Sequence, residues 1–396
     1  MNGNCPITNA EWSSSNTTSF VSLYFHIPFC SKKCDYCHFY VLPDKQVFKD
    51  RLMEGLHSEW RSCSDILKGK KLRSIYFGGG TPTLLGPRYI QFILSWIREY
   101  FGNIENLQIT LEANPEEINH SLIQSYVEAG VNRVSIGIQS LDDRLLQLLS
   151  RQHSADKAIN AVHTVSGAGI SNISVDLMYD LPQQTIESWE TTLKRVRDLP
   201  LSHLSLYNLT IEPHTVFFKR QESIKKHLPD EDTSLKMYEM AIQEFEENGL
   251  QQYEISAFHR EGFYSKHNVG YWIGRPFLGL GPSAFSYWQG KRFRNVANLH
   301  KYCRALTAGE SAIDFEEELL DKAKIRELLA INLRLREGVD LHHFEMRHGR
   351  HGRLDKELLA AITNLQEDGF LFQSAGHISL TYKGMLFYDT VASQII

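Results

Sequence analysis

The feature that most constrains this chain is a group of three closely spaced cysteines. The motif is Cys30-Ser-Lys-Lys-Cys34-Asp-Tyr-Cys37, and it directly follows a run typical of a strand at 22–29. A loop this short lets three thiolates converge on one centre, and Lys32 and Lys33 favour the thiolate forms that bind metal. Three thiolates leave one iron of a four-iron cluster without a protein ligand, whereas a structural zinc site is normally closed by a fourth residue. We therefore predict a metal-cluster loop whose open iron binds a small molecule.

Two other uses of cysteine are weighed against the cluster. Zinc would need a fourth ligand, which His38 or His26 could supply. Disulfides are less favoured, because six cysteines in 396 residues is sparse and nothing in the sequence indicates an oxidising compartment. The other three cysteines, Cys5, Cys63 and Cys303, have no cysteine neighbour and are interpreted as inert core residues.

Length and charge limit the classes of protein to which the chain can belong. With 396 residues, 42% of them hydrophobic, it can form one large core and a smaller domain, since single cores stop growing at ~250–300 residues. The net charge of -5 provides no global field that would draw the protein onto nucleic acid or an anionic membrane. Residues 1–20 are polar and lack the pattern of a secretory signal, so we expect a disordered N-terminus. No run approaches the ~18 apolar residues that span a bilayer, and we expect a soluble, cytoplasmic protein without an integral membrane segment.

Between about residues 20 and 210, short β-branched runs alternate with longer amphipathic stretches. Strands are predicted at about 21–26, 72–77, 107–112, 133–138, 172–178 and 203–208. Helices are predicted at about 46–63, 87–101, 119–129, 142–149, 155–168 and 185–198. The strands are mostly apolar, as strands covered on both faces should be. This order predicts a parallel sheet curved into a full or partial barrel, with its ligand site at the carboxyl ends of the strands, where polar residues and glycines follow all six.

The second half of the chain is interpreted as a connecting region and a small domain. Residues 210–312 have lower periodicity, and a charged run at 315–318 begins a different segment. Helices at about 320–336, 340–347 and 354–368 precede a hairpin around 374–376, an order that resembles a winged-helix domain. The predicted organisation is a disordered N-terminus (1–20), a core barrel with its connecting region (21–312) and a C-terminal helical domain (313–396).

Six motifs identify a family resemblance that covers nearly the whole chain after residue 20. They are Tyr24-Phe-His-Ile-Pro-Phe-Cys30 through Cys37, Gly78-Gly-Gly-Thr-Pro82, Val134-Ser-Ile-Gly-Ile-Gln-Ser140, Asp176-Leu-Met-Tyr-Asp-Leu-Pro182, His267-Asn-Val-Gly-Tyr-Trp272 and Leu278-Gly-Leu-Gly-Pro-Ser-Ala-Phe285. The chain resembles the radical S-adenosylmethionine (SAM) group that contains oxygen-independent coproporphyrinogen III dehydrogenase and the heme chaperone HemW. The resemblance implies an α/β fold, a partial (β/α)6 TIM-like barrel of the radical SAM type with a C-terminal helical, winged-helix-like domain.

The same resemblance implies the cofactors and the residues that hold them. Cys30, Cys34 and Cys37 would bind a [4Fe-4S] cluster whose fourth iron is chelated by SAM. The SAM pocket would be lined by Tyr24, Gly79, Gly80, Thr81, Glu112, Gln139, Arg151 and Asp176, with Tyr36 and Asn208 as further members. Carboxylates and amides suit the ribose diol, the amine and the sulfonium of SAM, and a guanidinium suits its carboxylate. Side-chain-free glycines would let the ligand approach the backbone closely.

One departure distinguishes two functions within the group. The dehydrogenases carry a further cysteine two positions after the third, where this chain has Phe39, and they have a longer N-terminal extension. Both departures indicate the heme-chaperone branch, in which the protein binds heme or another porphyrin and passes it to an unidentified acceptor protein, with a reductant protein as a further partner. The alternative is the dehydrogenase itself, which oxidatively decarboxylates coproporphyrinogen III in heme biosynthesis. Asp180 stands where these relatives commonly have glycine, and aspartate tolerates a left-handed backbone better than most residues.

Two further hypotheses concern segments outside the strand ends. His267, beside Tyr271 and Trp272, is a candidate ligand for heme iron, because flat rings stack on aromatic side chains and histidine commonly binds heme iron. The basic run at 347–353 could contact nucleic acid, but the acidic total charge offers no supporting field, so no nucleic acid partner is expected.

Overall fold

The computed structural model describes residues 19–349 and 353–396. Of the N-terminus predicted to be disordered, 1–20, residues 1–18 lie outside this range together with Cys5 and the centre of the basic run, whereas Phe20 begins the first strand. The strands are β1 Phe20–Ile27, β2 Phe29–Cys30, β3 Leu42–Pro43, β4 Lys71–Gly79, β5 Gln108–Ala113, β6 Arg133–Gln139, β7 Asn172–Tyr179, β8 His203–Asn208, β9 Gln251–Glu254, β10 Ala257–His259, β11 Phe277–Leu280, β12 Phe285–Trp288, β13 Lys291–Asn295, β14 Ile313–Glu318, β15 Val339–Asp340, β16 Leu371–Ser374 and β17 His377–Leu380. The helices are α1 Gln46–Cys63, α2 Pro87–Phe101, α3 His120–Ala129, α4 Asp143–Leu148, α5 Ala155–Gly167, α6 Ile186–Arg197, α7 Val216–Lys219, α8 Gln221–Lys225, α9 Glu231–Glu247, α10 Lys266–Trp272, α11 Leu299–Thr307, α12 Asp321–Asn332, α13 Leu341–His348, α14 Lys356–Glu367, α15 Tyr382–Leu386 and α16 Tyr388–Ile395.

All six predicted strands and all six predicted helices of the first half are present. Strands β1, β4, β5, β6, β7 and β8 are neighbours in this order, and every pair among them is parallel. Local signals placed the helix ends correctly: Pro87 opens α2, and Gly130 ends α3 with a positive φ of 112°. The partial barrel of strand–helix units is confirmed.

The predicted connecting region contributes strands that extend this sheet at both edges. On one side β11 adds to β1 in parallel and is followed by β12, β13 and β14 as antiparallel neighbours. On the other side β10 and β9 add to β8. The result is a sheet of twelve strands. Each added strand has at most six residues, too few for a periodic pattern to stand out from loop sequence.

The strands are mostly apolar, but one face of the sheet carries polar side chains. Polar side chains alternate along β1, β4, β5, β6, β7 and β8 and bond across neighbouring strands. Ser74 Oγ lies 2.9 Å from Ser22 Oγ, and Ser174 Oγ lies 2.8 Å from His203 Nδ1. The opposite face carries apolar residues that form the main core with the helices. One buried face is therefore polar and the other apolar, so each strand alternates with a period of two.

The C-terminal segment has a hydrophobic core of its own. The predicted helices correspond to α12, α13 and α14, and the predicted hairpin is formed by β16 and β17. Leu329, Phe344, Leu358, Ile378 and Val391 are fully buried members of this second core. Strand β14 immediately follows residue 312 and pairs with β13 in the main sheet, and the division of the chain at that position stays a prediction.

A buried carboxylate, Glu59 of α1, joins four elements of the core domain. It accepts hydrogen bonds from the Gly281 amide at 2.8 Å, from Asn295 Nδ2 at 2.5 Å and from the Tyr302 hydroxyl at 2.5 Å. Burial raises the pKa of Glu59 from 4.5 to about 7, against the opposing effect of these hydrogen bonds. Because the folded protein holds this proton more tightly than the unfolded chain, stability from this group is highest below pH 4.5 and is lost as the pH rises through 7.

Replacing Glu59 by glutamine should therefore flatten the pH dependence of stability. From about pH 5 to pH 8 the free energy of unfolding of the wild type should fall, relative to Glu59→Gln, by about 2–3 kcal/mol. Urea unfolding of both proteins across this range measures the difference. Glu54→Gln is the matched control, because Glu54 is an exposed residue of the same helix. Parallel profiles for the wild type and Glu59→Gln would contradict this account.

Candidate active site

A short pair of strands closes the cysteine loop at its base. Strand β2 pairs in parallel with β3, so that Phe29 lies opposite Leu42 and Cys30 opposite Pro43. Within the loop the Cys37 amide donates to the Cys34 carbonyl at 3.1 Å, and Lys33 Nζ donates to the Phe39 carbonyl at 2.8 Å. Because strand pairing joins both ends of the loop, its three thiols lie on a short, fixed segment at the carboxyl end of β1.

A chain of hydrogen bonds connects two of the three cysteines through three other elements. Cys30 Sγ lies 3.6 Å from Thr81 Oγ1, which accepts from Asn114 Nδ2 at 2.8 Å. Arg151 Nη2 donates to Asn114 Oδ1 at 2.9 Å, and Arg151 Nη1 donates to Cys34 Sγ at 3.5 Å. These residues follow β2, β4, β5 and α4. The fold therefore uses polar groups from separate strand ends to support the cysteine loop.

Burial governs the protonation of the thiols when no iron is bound. It raises the pKa of Cys30 to about 11, and the neighbouring thiols Cys37 and Cys34 raise it further. It also raises the pKa of Cys37, which Lys33 lowers by a smaller effect. Lys33 therefore favours the Cys37 thiolate, as expected, but burial opposes this thiolate more strongly. Iron must provide the charge that stabilises their thiolates.

The glycine motif after β4 is required by the protein's own packing. A Cβ on Gly80 would lie 2.5 Å from the Phe29 carbonyl oxygen, and a Cβ on Gly79 would lie 2.7 Å from the His26 ring. Gly79 also has a φ of 118°, which side-chain-bearing residues rarely adopt. Close approach of a ligand is therefore not the only reason for glycine here, because strand β2 and His26 occupy the space that a side chain would need.

Two carboxylates lie on the polar face, Glu112 near the end of β5 and Asp176 in the middle of β7. Glu112 accepts from the Tyr76 hydroxyl at 2.8 Å and from the Gly79 amide at 3.1 Å, and burial raises the pKa of Glu112 to about 7. Asp176 accepts from Ser135 Oγ at 3.3 Å, and burial also raises the pKa of Asp176. Tyr24 contacts this group through its ring, which stacks on Tyr76 at 6.1 Å.

Two of the expected site residues have buried polar atoms without a hydrogen bond to the described residues. They are Gln139 Oε1 and Arg151 Nε. Gln139 has a φ of 56°, and a Cβ on Gly137 would lie 3.0 Å from its Nε2. Arg151 also donates to the Gly137 carbonyl at 2.5 Å. Since buried polar atoms normally have partners, these two atoms are suited to bind a polar ligand such as SAM.

The last two expected members differ in their links to this group. Tyr36 belongs to the cysteine loop, where its side chain is hydrogen-bonded to Cys34, and its ring packs edge-on against Phe217 at 6.5 Å. Asn208 ends β8 opposite Tyr179, and its side chain is exposed. Of the expected residues, Thr81 and Arg151 are hydrogen-bonded to cysteine thiols and Gly79 is bonded to Glu112, whereas Asn208 makes no hydrogen bond to any other expected residue among the described residues.

Three residues that the sequence did not assign to the SAM pocket also make hydrogen bonds at the site. Asn114 follows β5 in the printed sequence, but nothing local indicates that it joins Thr81 to Arg151. His26 is buried, with Nδ1 bonded to the Tyr24 hydroxyl at 3.1 Å and Nε2 to the Tyr40 carbonyl at 3.3 Å. Ser31 donates to Glu117 Oε1 at 3.3 Å. A polar residue directly after a barrel strand was the available signal for Asn114.

His267, the candidate ligand for heme iron, has hydrogen-bond partners at both ring nitrogens, and its role stays a prediction. The side chain is buried, with Nδ1 bonded to Ser74 Oγ at 3.0 Å and Nε2 to the Tyr271 hydroxyl at 2.8 Å. Burial lowers the pKa of His267 to about 3. Through the bond to Ser74, His267 joins helix α10 to strand β4 on the polar face of the sheet.

The arrangement of ligands differs from that of a single-ion site. Among residues 19–349 and 353–396, no three His, Cys, Asp or Glu side chains are placed to hold one metal ion. His26, one proposed fourth ligand for zinc, has both ring nitrogens engaged. Thiolates around an iron–sulfur cluster bind different irons and are therefore farther apart than ligands of one zinc ion. The three thiols and the two unpartnered polar atoms beside them fit a cluster with a bound small molecule.

A cavity of about 1130 Å³ lies against the cysteine loop. Its aromatic lining is Tyr24, Phe39, Tyr40, Tyr271, Trp272, Phe277, Phe285, Tyr287 and Phe315. Its charged lining consists of the cations Lys33, Arg275, Arg292, Arg294 and Lys324 and the carboxylates Glu317 and Glu327. The cavity therefore combines flat apolar walls with an excess of positive charge.

Comparisons with known proteins agree with this geometry. The chain matches the radical SAM superfamily over residues 24–196 and the HemN C-terminal domain over residues 319–387. It is 36% identical to the heme chaperone HemW of Lactococcus lactis, across 92% of this chain and 94% of that protein. It is 32% identical to HemW of Bacillus subtilis, across 93% and 97%. The structure of coproporphyrinogen III oxidase (HemN) from Escherichia coli has the same fold, with a TM-score of 0.83 and 24% identity across 99% of this chain and 93% of that one.

Helix length and composition were also compared with the requirements of a lipid bilayer. Within the described part of the chain, no helix is both long enough and apolar enough to cross a membrane.

Proposed function

The chain belongs to the HemW family of radical SAM proteins, and we propose that it is a heme chaperone, which binds heme and transfers it to an acceptor protein. The similarity extends over 94% and 97% of the length of two relatives that are named heme chaperones. Similarity to HemN supports the fold alone and does not favour the dehydrogenase.

The observation that carries this proposal is the cavity beside the cysteine loop. Its volume of about 1130 Å³ exceeds that of most small-molecule sites, which range over ~300–1,000 Å³. Heme is a flat macrocycle with two carboxylates, so it needs aromatic walls and cationic side chains. The aromatic and cationic lining meets both requirements. Phe39, which stands where the dehydrogenases have a further cysteine, presents a half-exposed ring to this cavity.

The radical SAM domain implies a [4Fe-4S] cluster and SAM. In this proposal Cys30, Cys34 and Cys37 bind the cluster, and SAM lies between it and the strand ends. The cluster supplies an iron with an open coordination site and a centre for electron transfer. Arg151 orients the SAM carboxylate through its guanidinium, Gln139 bonds a polar group of SAM through its amide, and Glu112 and Asp176 face its ribose and amine.

One anaerobic comparison tests the proposal against the dehydrogenase. The protein with its cluster reconstituted is titrated with heme, and in parallel it is incubated with SAM, a reductant and coproporphyrinogen III. We expect heme absorbance that saturates in the titration and transfer of the heme to an apo-acceptor, without decarboxylation. The reason is that Phe39 stands where the dehydrogenases have a further cysteine. Release of carbon dioxide with formation of decarboxylated porphyrinogen would establish the alternative, and absence of heme binding would refute the proposal.

A further inference from the structure

The chain of hydrogen bonds from Arg151 to Cys30 has a fixed direction. A guanidinium can only donate, so the Asn114 atom that lies 2.9 Å from Arg151 Nη2 must be the amide oxygen. The amide nitrogen of Asn114 therefore faces Thr81 and donates to its Oγ1 at 2.8 Å. Because this side of the hydroxyl already accepts a hydrogen bond, Thr81 must direct its own proton elsewhere.

The sulfur of Cys30 is the acceptor that this proton can reach. It lies 3.6 Å from Thr81 Oγ1, a distance typical of hydrogen bonds to the large sulfur atom. Within residues 19–349 and 353–396, the Thr81 hydroxyl has no other acceptor, and the residue is buried with 1% of its surface exposed. A thiolate has no proton to give, so the hydroxyl is the donor whenever Cys30 binds iron.

The other two thiols of the loop also receive hydrogen bonds. Arg151 Nη1 donates to Cys34 Sγ at 3.5 Å, and the Phe39 backbone amide bonds Cys37. Donors directed at ligand sulfurs stabilise the extra negative charge of a reduced cluster, so they raise its reduction potential. Thr81 differs from these two donors in one respect that allows a clean experiment, because valine has its shape without its hydroxyl.

We infer that Arg151 and Asn114 orient the Thr81 hydroxyl toward the Cys30 sulfur, where it raises the reduction potential of the cluster. Arg151 and Asn114 are thus positioning residues that act through Thr81. The inference rests on the proposed binding of the cluster by the three cysteines and is independent of heme transport. It gives Thr81 a role toward the cluster that is separate from its expected place in the SAM pocket. A higher potential lets a weaker reductant supply the electron.

The role of the hydroxyl is tested by redox titration, followed by electron paramagnetic resonance, on the full chain with its cluster reconstituted anaerobically. SAM is omitted, so that a change in SAM binding cannot alter the result. Thr81→Val should shift the ratio of oxidised to reduced cluster about tenfold toward the oxidised state. For a one-electron couple this lowers the midpoint potential by about 59 mV. Thr81→Ser keeps the hydroxyl and should remain close to the wild type.

Thr83→Val is the matched control for the loss of a hydroxyl. Thr83 is buried two residues after Thr81, and its hydroxyl has no hydrogen-bond partner among the described residues. The midpoint potential of this variant should equal that of the wild type. An equal fall in Thr83→Val, or an unchanged potential in Thr81→Val with a full cluster, would overturn the inference.

The orienting role of Asn114 is tested in a double-mutant cycle. Asn114→Leu alone should lower the potential, because the Thr81 hydroxyl is then free to rotate away from the sulfur. In the Thr81→Val protein the same substitution should have little further effect, since the hydroxyl through which Asn114 acts is missing. Additive falls would refute this role of Asn114. If Thr81→Val assembles no cluster, Asn114→Leu decides the inference, because it leaves Thr81 and all three cysteines in place.

Iron and sulfide analysis before each titration separates this inference from the proposed function. A wild type that holds no iron–sulfur cluster would refute the assignment of the cysteine loop, and the inference would fail with it. A full cluster whose potential is the same in the wild type, Thr81→Val and Asn114→Leu would refute the inference and leave the proposed function unaffected.

Discussion

Cys34→Ala should yield a colourless protein without its iron–sulfur cluster. Cys34 is one of three thiols on a single short loop. Among the described residues, this loop has no fourth cysteine that could replace it. With two thiolates left, the cluster loses one of only three protein bonds. Iron and acid-labile sulfide should fall to near zero after anaerobic reconstitution, and the broad visible absorbance should disappear.

Cys63→Ala is the matched control for this loss. Cys63 ends α1 with Sγ directed to the Trp60 carbonyl at 3.7 Å, and it packs against the main core as predicted. This variant should keep its full iron and sulfide content. Retention of the complete cluster in Cys34→Ala, or a preparation of the wild type that holds zinc in place of iron, would contradict the assignment of the loop.

Arg151→Gln should weaken SAM binding by about 30-fold, which is equivalent to about 2 kcal/mol. The guanidinium is buried, and it joins Asn114, the Gly137 carbonyl and Cys34 while leaving Nε for a ligand. A neutral amide could not replace the charged contact that we propose between Arg151 Nε and the SAM carboxylate. Equilibrium dialysis of reconstituted protein against labelled SAM measures the change.

The comparison with Arg144→Gln shows whether loss of any nearby arginine has this effect. Arg144 is exposed, donates to the Gln183 carbonyl at 3.2 Å and lies outside the hydrogen-bond chain, so SAM binding should be unchanged. The cluster content of Arg151→Gln must equal that of the wild type for the result to report on SAM. Unchanged SAM affinity with a full cluster would remove Arg151 from the site.

Local sequence signals predicted the central fold well where helices and strands are long. Pro87, Gly130 and the apolar periodicity located the helix ends within about two residues. Asp180 has a φ of 65°, as expected from the tolerance of aspartate for a left-handed backbone, and it accepts from Ser234 Oγ at 2.5 Å. The sequence did not indicate strands β9 to β14, because runs of three to six residues obtain their partners from distant parts of the chain.

The sequence alone determined that the three cysteines lie together, because their spacing confines them to one loop regardless of the surrounding fold. The sequence of strands and helices likewise determined the partial barrel, since local periodicity and right-handed crossovers leave few alternatives. Only the tertiary structure decided that Asn114 connects Thr81 to Arg151. It also decided that both ring nitrogens of His267 are hydrogen-bonded, one to Ser74 and the other to Tyr271. Hydrogen bonds and burial depend on groups far apart in the chain, and no local pattern encodes which of them meet.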